Sequence, residues 1–484
     1  MYLGLVLAVI YAAFVCAAGI PALRHDWWWP IERYGFVDLF VHSTSGWSEN
    51  GLGAPYAYPG SYIVGALVGP YITLVLYSFA IALVCTLGAR ALALVLNATP
   101  IRVACIEIFA LFNPWVYSKT VAGHLYMLLA YGAMFAIVAE LVRLKVRPPI
   151  LAVLLVLTLA QLQFFIIAMA ALTIHSIIRR TYLPWISGVI VGLPIWVGIA
   201  LDRTSLLHIP YTLAWETSQS IDPWQAFILR GYFTTYAQNF SDFQVGALCF
   251  LVASALFAGV ATRRVLAFVT TALIAVFLVL AMGTRGPFGL SYATIVTSLP
   301  ESGLFRELYD LLGFVAIGYC LLLGLVPQRV VLNAMLLVAA CIVWSGWLFW
   351  PPARYWVDSA KMPVVHFAAP PNTRFALFPP FQPLRFSDRG SGADRDTYRH
   401  TGNVTALNEY VPQYPVDAAL ARAWRDRNFL SLRAMSVSTI VERPRLSLDA
   451  SSLAAQINGK PSETRVRTLR LLQLDALPEV TLDD

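Results

Sequence analysis

Three stretches of this chain combine residue types that can move a proton or hold an anion. The first is Arg24-His25-Asp26-Trp27-Trp28-Trp29-Pro30, continued by Gly46-Trp47-Ser48-Glu49-Asn50-Gly51-Leu52-Gly53-Ala54-Pro55. A carboxylate such as Asp26 can act as general base toward a hydroxyl if burial or a neighbour tunes its pKa. Glu49 and Glu307 are the next carboxylates suited to that task. The second stretch is Asn113-Pro114-Trp115-Val116-Tyr117-Ser118-Lys119-Thr120-Val121-Ala122-Gly123-His124. Its Lys119 and His124 can contact a phosphate or a sugar. The plainer reading is a tight helical turn with a snorkelling Lys119. The third holds Arg285 and then Leu304-Phe305-Arg306-Glu307-Leu308-Tyr309-Asp310. Arginine stays charged and presents a planar fork that fits phosphate. Against that stands an internal ion pair of Arg306 with Glu307 or Asp310.

These residues are positioned by a chain built for lipid. Of its 484 residues 58% are hydrophobic and 13% charged, with a mean hydropathy of +0.66. A soluble domain of this size carries about a quarter charged residues, so the apolar excess must be covered by membrane. The net charge of +7 is spread as arginine pairs between apolar runs, which marks cytoplasmic loops of a bacterial inner-membrane protein and no nucleic-acid arm.

Runs of about 20 apolar residues predict spans at 2–20, 68–88, 101–118, 125–142, 149–163, 164–178, 183–201, 244–262, 265–282, 310–326 and 330–349. The fifth and sixth run together, so ten or twelve spans fit as well as eleven. Arg90, Arg102, Arg143, Lys145, Arg147, Arg179, Arg180, Arg263, Arg264 and Arg329 all fall in short loops on one side. The long loops, about 21–67, 202–243 and 283–309, fall on the other. Eleven spans from a cytoplasmic N-terminus then leave the tail outside. The expected architecture is an all-α polytopic membrane domain over 1–350 and a small extracytoplasmic α+β domain over 351–484. In the tail, Val437, Ile440 and Val441 suggest a strand, and Asp417 can cap a helix bearing Leu420, Ala421 and Trp424.

The long loops hold Trp27–Trp29, Trp47, Trp215 and Trp224. An aromatic belt accounts for any one of them; aromatic and acidic residues together suit a sugar or lipid headgroup. All six cysteines fall in apolar runs, which argues against a disulfide framework and a thiolate metal site. The histidines lack ligand spacing, so no dedicated metal site or cofactor is expected, with an isolated Asp/Glu site for a divalent ion left open. Glu107, near the cytoplasmic end of the third span, reads as a structural partner of Arg102.

The pattern resembles the GT-C superfamily of polytopic glycosyltransferases, more narrowly the arabinofuranosyltransferase-like and YfhO-like membrane proteins. Three segments carry the resemblance: Asp26–Pro30 through Asn50–Pro55; Asn113-Pro114, Val116-Tyr117 and Gly123-His124; and Phe305–Asp310. The last departs at Leu308 and Asp310, where Pro and Lys are usual. The resemblance implies transfer of a sugar from a polyprenyl-phosphate donor to an extracytoplasmic glycan or lipid acceptor. Asp26 would be the base, and Arg306 or Arg285 would hold the leaving phosphate. Lys119, His124, Glu49 and Glu307 would help to bind the substrates. A transporter or flippase of lipid-linked glycans remains an alternative, disfavoured by spans nearly free of charge. So does a non-catalytic envelope-polysaccharide assembly protein, which the departures at Leu308 and Asp310 allow.

Overall fold

The computed structural model describes residues 2–17, 70–143, 146–201, 220–230, 264–299 and 308–325, with short segments and single residues between 22 and 473. It divides into two compact units, one of Met1–Gly19, Tyr71–Val197 and Pro210–Tyr355, the other of Ile20–Pro70, Gly198–Ile209 and Trp356–Asp484.

The first unit is helical. Its helices are α1 Tyr2–Cys16, α2 Pro70–Val95, α3 Pro100–Phe112, α4 Pro114–Ala122, α5 Leu125–Val142, α6 Pro148–Thr158, α7 Leu162–Arg179, α8 Leu183–Leu201 (which runs on into the second unit), α9 Pro223–Phe227, α10 Arg264–Met282, α11 Gly289–Ser298 and α12 Leu312–Leu325. Among the described residues five helical segments are long and apolar enough to cross a membrane: Leu74–Val95, Leu125–Val142, Leu162–Arg179, Val265–Arg285 and Leu308–Leu325. This is a multi-pass membrane protein. The expected spans at 244–262 and 330–349 lie outside the described residues, Trp347 excepted.

The fifth and sixth runs, 149–163 and 164–178, are two helices, α6 and α7, parted at 159–161. One expectation about the spans changes. The run at 101–118 is not one helix. Asn113 leaves the helical region with φ −75° and ψ 164°, and Pro114 has no N–H to continue the ladder. The Asn113 carboxamide oxygen instead accepts from the Val116 N–H at 3.1 Å and caps α4. At its far end α4 stops on Gly123, whose φ of +89° is left-handed. The Gly123 and His124 N–H groups there return to the Lys119 carbonyl at 3.0 and 2.9 Å.

Helix α12 is the centre of the bundle: all fourteen of its residues are buried. It packs against α3, α4, α5 and α10. Phe314 stacks on Phe164 and on Phe277, with centroids 4.6 and 4.7 Å apart. Between apolar helices in lipid, tight packing replaces the hydrophobic drive. Helices α2 and α5 meet in that way through Gly88 and Gly132: a Cβ on Gly132 would stand 2.8 Å from the Cys85 backbone nitrogen.

Both ends of α12 are tied to the α3–α4 pair. At one end Arg102 Nη1 donates to the Gly324 carbonyl at 3.0 Å. At the other Trp115 Nε1 donates to the Tyr309 carbonyl at 3.0 Å. The chain from Pro100 to Ala122 therefore runs antiparallel to α12, as alternating spans require. Glu107 pairs with Arg90 at 3.4 Å; the expected partner, Arg102, is taken up by Gly324 and by the Thr99 hydroxyl.

In the second unit, strands β1 Ala22–Leu23 and β2 Val357–Asp358 pair antiparallel, joining the start of the first long loop to the start of the tail. Strands β3 Arg374–Phe378, β4 Asn403–Thr405, β5 Val437–Glu442 and β6 Arg470–Gln473 form a four-stranded sheet in the order β6-β5-β3-β4. The Val437, Ile440 and Val441 pattern thus does form a strand. Asp417, Ala421 and Trp424 lie outside the described residues.

Candidate functional site

The second and third sequence stretches meet. Lys119, in the last turn of α4, and Asp310, in the 3-10 turn Leu308–Leu311 that leads into α12, form an ion pair. Both side chains are buried, at 0% and 2% exposure. The Lys119 ammonium also meets His124 Nδ1 at 3.1 Å and sits 4.1 Å from the centre of the Tyr309 ring. An ammonium has protons to give and no lone pair, so Nδ1 accepts and the neutral ring carries its proton on Nε2. Lys119 therefore does not snorkel, and its charge is answered from within the fold. Of that trio, half-buried His124 stands nearest to solvent.

A polar framework holds α4 in place. Asn113 Nδ2 donates to the Phe109 carbonyl at 3.0 Å and meets the Tyr131 hydroxyl at 3.1 Å. Tyr131 in turn donates to the Ala110 carbonyl at 3.0 Å. Near the other end of α4, the Tyr11 and Thr120 hydroxyls bond at 2.9 Å. All of these groups are buried, so each bond also spares a desolvated polar atom. Asn113→Ala removes both the cap and the Tyr131 partner. A loss of about 1–2 kcal/mol is expected, read as a lower thermal midpoint of detergent-solubilised protein.

Arg285 ends the 3-10 turn Gly283–Arg285 after α10. It pairs with Asp222 at 3.3 Å, and both side chains are exposed. Pairs of this kind contribute at most about 1 kcal/mol, so Arg285 can exchange Asp222 for another anion at little cost. The turn is clasped by the segment 220–230: Ser220 Oγ accepts from the Thr284 N–H at 2.9 Å, and the Ile221 N–H reaches the Ala281 carbonyl at 3.4 Å. Gly283, at φ +52°, gives the clasp its room, since a Cβ there would lie 2.5 Å from both Ser220 Oγ and Leu308. The same segment brings Arg230, whose partial burial lowers its pKa while leaving it charged at neutral pH.

Lys119, His124 and Asp310 thus come together, and the Arg285 turn adjoins them through Leu308. Asp26, Glu49, Arg306 and Glu307 lie outside the described residues. Sequence reasoning missed Asp310 as the partner of Lys119, together with Asp222 and Arg230. A buried lysine needs a buried carboxylate, and Asp310 was the acidic residue closest to a span; that signal was present but was spent on Arg306. Among the described residues no group of three His, Cys, Asp or Glu side chains gathers that could hold a metal ion.

The chain shares its fold with a protein of known structure. It is similar to the cryo-EM structure of arabinofuranosyltransferase AftD from mycobacteria, with a TM-score of 0.57 and 15% identity over 91% of this chain. A mutant of the same enzyme gives a TM-score of 0.56 and 16% identity. The chain spans about a third of the length of that enzyme, 35% and 36% in the two structures. No protein-family profile matches the sequence, and no curated protein matches it. The resemblance drawn from three short motifs is therefore borne out at the level of fold.

Proposed function

We propose that this chain is a membrane glycosyltransferase that moves a sugar from a polyprenyl-phosphate donor to an extracytoplasmic glycan or lipid acceptor. The observation that carries the reading is the shared fold with an arabinofuranosyltransferase over 91% of the chain. The meeting of the Asn113–His124 and Leu308–Asp310 segments supports it, because two of the three motifs then serve one place. In the reaction the acceptor hydroxyl loses its proton to Asp26 as its oxygen bonds to the anomeric carbon. The bond from that carbon to the phosphate oxygen breaks, and polyprenyl phosphate leaves with the electron pair. Arg306 and Arg285 neutralise the leaving charge, which is where such chemistry gains most from fixed cations. His124, a donor through Nε2, suits a sugar hydroxyl or a phosphate oxygen. Glu49 and Glu307 are further substrate contacts. No cofactor is needed for this transfer. The site and the C-terminal unit face away from the cytoplasm of a bacterial inner membrane in this reading, following the arginine-rich loops on the other side.

The test is sugar transfer by reconstituted protein from a panel of polyprenyl-phosphate sugars, with wild type beside Asp26→Asn. Asn keeps the size and removes the base. Activity in wild type and a loss of at least about a hundredfold in the variant is the expected outcome. Equal activity in both would move the base to Glu49 or Glu307. Inactivity of wild type with every donor would favour the non-catalytic assembly role, for which Asp310 in place of the usual lysine is the specific observation.

A further inference from the structure

We propose that helix α11 lies in the surface layer of the membrane leaflet that α10 reaches at Met282, with one edge against acyl chains and one against water. The inference stands apart from the transferase reading, since it concerns a lipid surface and no chemistry.

The chain from Gly286 to Pro300 carries no charged residue. It forms a ten-residue helix, α11, which rises only about 15 Å and cannot cross a hydrocarbon core of about 30 Å. The nineteen residues of α10 rise about 28 Å and do match that thickness. Met282 therefore stands at the membrane boundary, and α11 packs directly on the 3-10 turn that follows. Two independent marks give the same level: the exposed Arg285–Asp222 pair, and Trp224, 65% exposed on the segment clasping the end of α10. Charged tips and indole rings settle at the headgroups.

At that level the faces of α11 divide. Phe288, Ile295 and Leu299 fall on one line at helical spacing and are 64%, 55% and 50% exposed. Ser291, Thr294 and Ser298 form the neighbouring exposed line, with the Thr294 hydroxyl turned back onto the Leu290 carbonyl at 3.0 Å. Leu290 flanks that line at the helix start. Val296, on the covered side, is buried. An apolar edge beside a hydroxyl edge, with no charge between, is the pattern of a helix lying in an interface. The occupant is lipid because α10, at whose end α11 sits, exposes Phe268, Leu273 and Val276 along its length, a surface that already requires hydrocarbon.

The experiment labels Ile295→Cys, Leu299→Cys and, for comparison, Ser298→Cys with a bimane fluorophore. The full chain is placed in phosphatidylethanolamine–phosphatidylglycerol vesicles, and the labelled wild type supplies the background of native thiols. Quenching by lipids with a nitroxide on the acyl chain is compared with quenching by iodide. Positions 295 and 299 should be quenched several-fold more by the lipid nitroxide than by iodide, and 298 the reverse. Equal access of iodide to 295, 299 and 298 would overturn the proposal by placing the helix in water. Shielding of 295 and 299 from both quenchers would overturn it by placing protein, such as a second copy of the chain, on that edge.

Discussion

Lys119→Met should destabilise the protein by about 3–5 kcal/mol, because it takes the buried ammonium away from the buried Asp310 carboxylate. Asp310→Asn should cost a similar amount from the other side, by taking the carboxylate charge from the buried ammonium. The pair as a whole is a different matter. Two ions withdrawn from water recover their desolvation cost only in part, so Lys119→Met combined with Asp310→Leu should return to within about 1 kcal/mol of wild type or exceed it. Unfolding in mixed micelles of increasing SDS fraction reads all three variants. A double variant as unstable as the singles would mean that the charges do more than answer each other. A stable double variant that fails in sugar transfer would place the pair in function, acting through His124, whose Nδ1 would have lost its donor.

The second large effect lies where α2 and α5 cross. A Cβ on Gly132 would stand 2.8 Å from the Cys85 nitrogen and 2.9 Å from its Cα, and one on Gly88 would stand 2.6 Å from the Gly132 carbonyl oxygen. Those neighbours are backbone atoms of a helix and cannot swing aside. Gly132→Leu should therefore force the helices apart, at the upper end of the roughly 1–3 kcal/mol that overpacking costs or beyond it. The readout is loss of a monodisperse peak in size-exclusion chromatography. Gly188→Ala is the control. Its new Cβ would meet the thioether of Met169, 2.3 Å away, and Leu155 Cδ1 at 3.4 Å, both far ends of flexible side chains. That substitution should cost under about 1 kcal/mol.

How much of this was legible beforehand depends on what kind of contact fixed each feature. Spans such as Leu125–Val142 were plain because twenty apolar residues have one cheap place to go. The break at Asn113-Pro114 was written in the sequence as a cap followed by a residue with no N–H, yet the hydropathy of 101–118 ran across it and hid the turn. The pairing of Lys119 with Asp310 joins residues 191 positions apart, and periodicity carries no information over that range. Read locally, Glu107 belonged with Arg102, and packing brought in Arg90 from another helix; at Asp310 it brought in Lys119 from α4. Helix α11 was missed for the opposite reason. Its residues are neither apolar enough to span nor polar enough to read as a surface helix, and only its attachment to the end of α10 shows where it belongs.

Trp347 gives the bundle a timetable. Its indole is fully buried and is surrounded by Tyr11, Phe14, Phe112 and Tyr117, with ring centroids 5.1 to 5.7 Å away. Four aromatic walls from the first quarter of the chain thus enclose a side chain that the ribosome supplies 230 residues after Tyr117. At ordinary rates of synthesis that interval is about 10–50 s. Through it the N-terminal helices sit in the bilayer with an unfilled aromatic slot, which lipid can occupy and then yield. A side chain supplied late thus closes helices supplied early, and a chain cut short before residue 347 leaves Tyr11 and Phe14 of α1 without it.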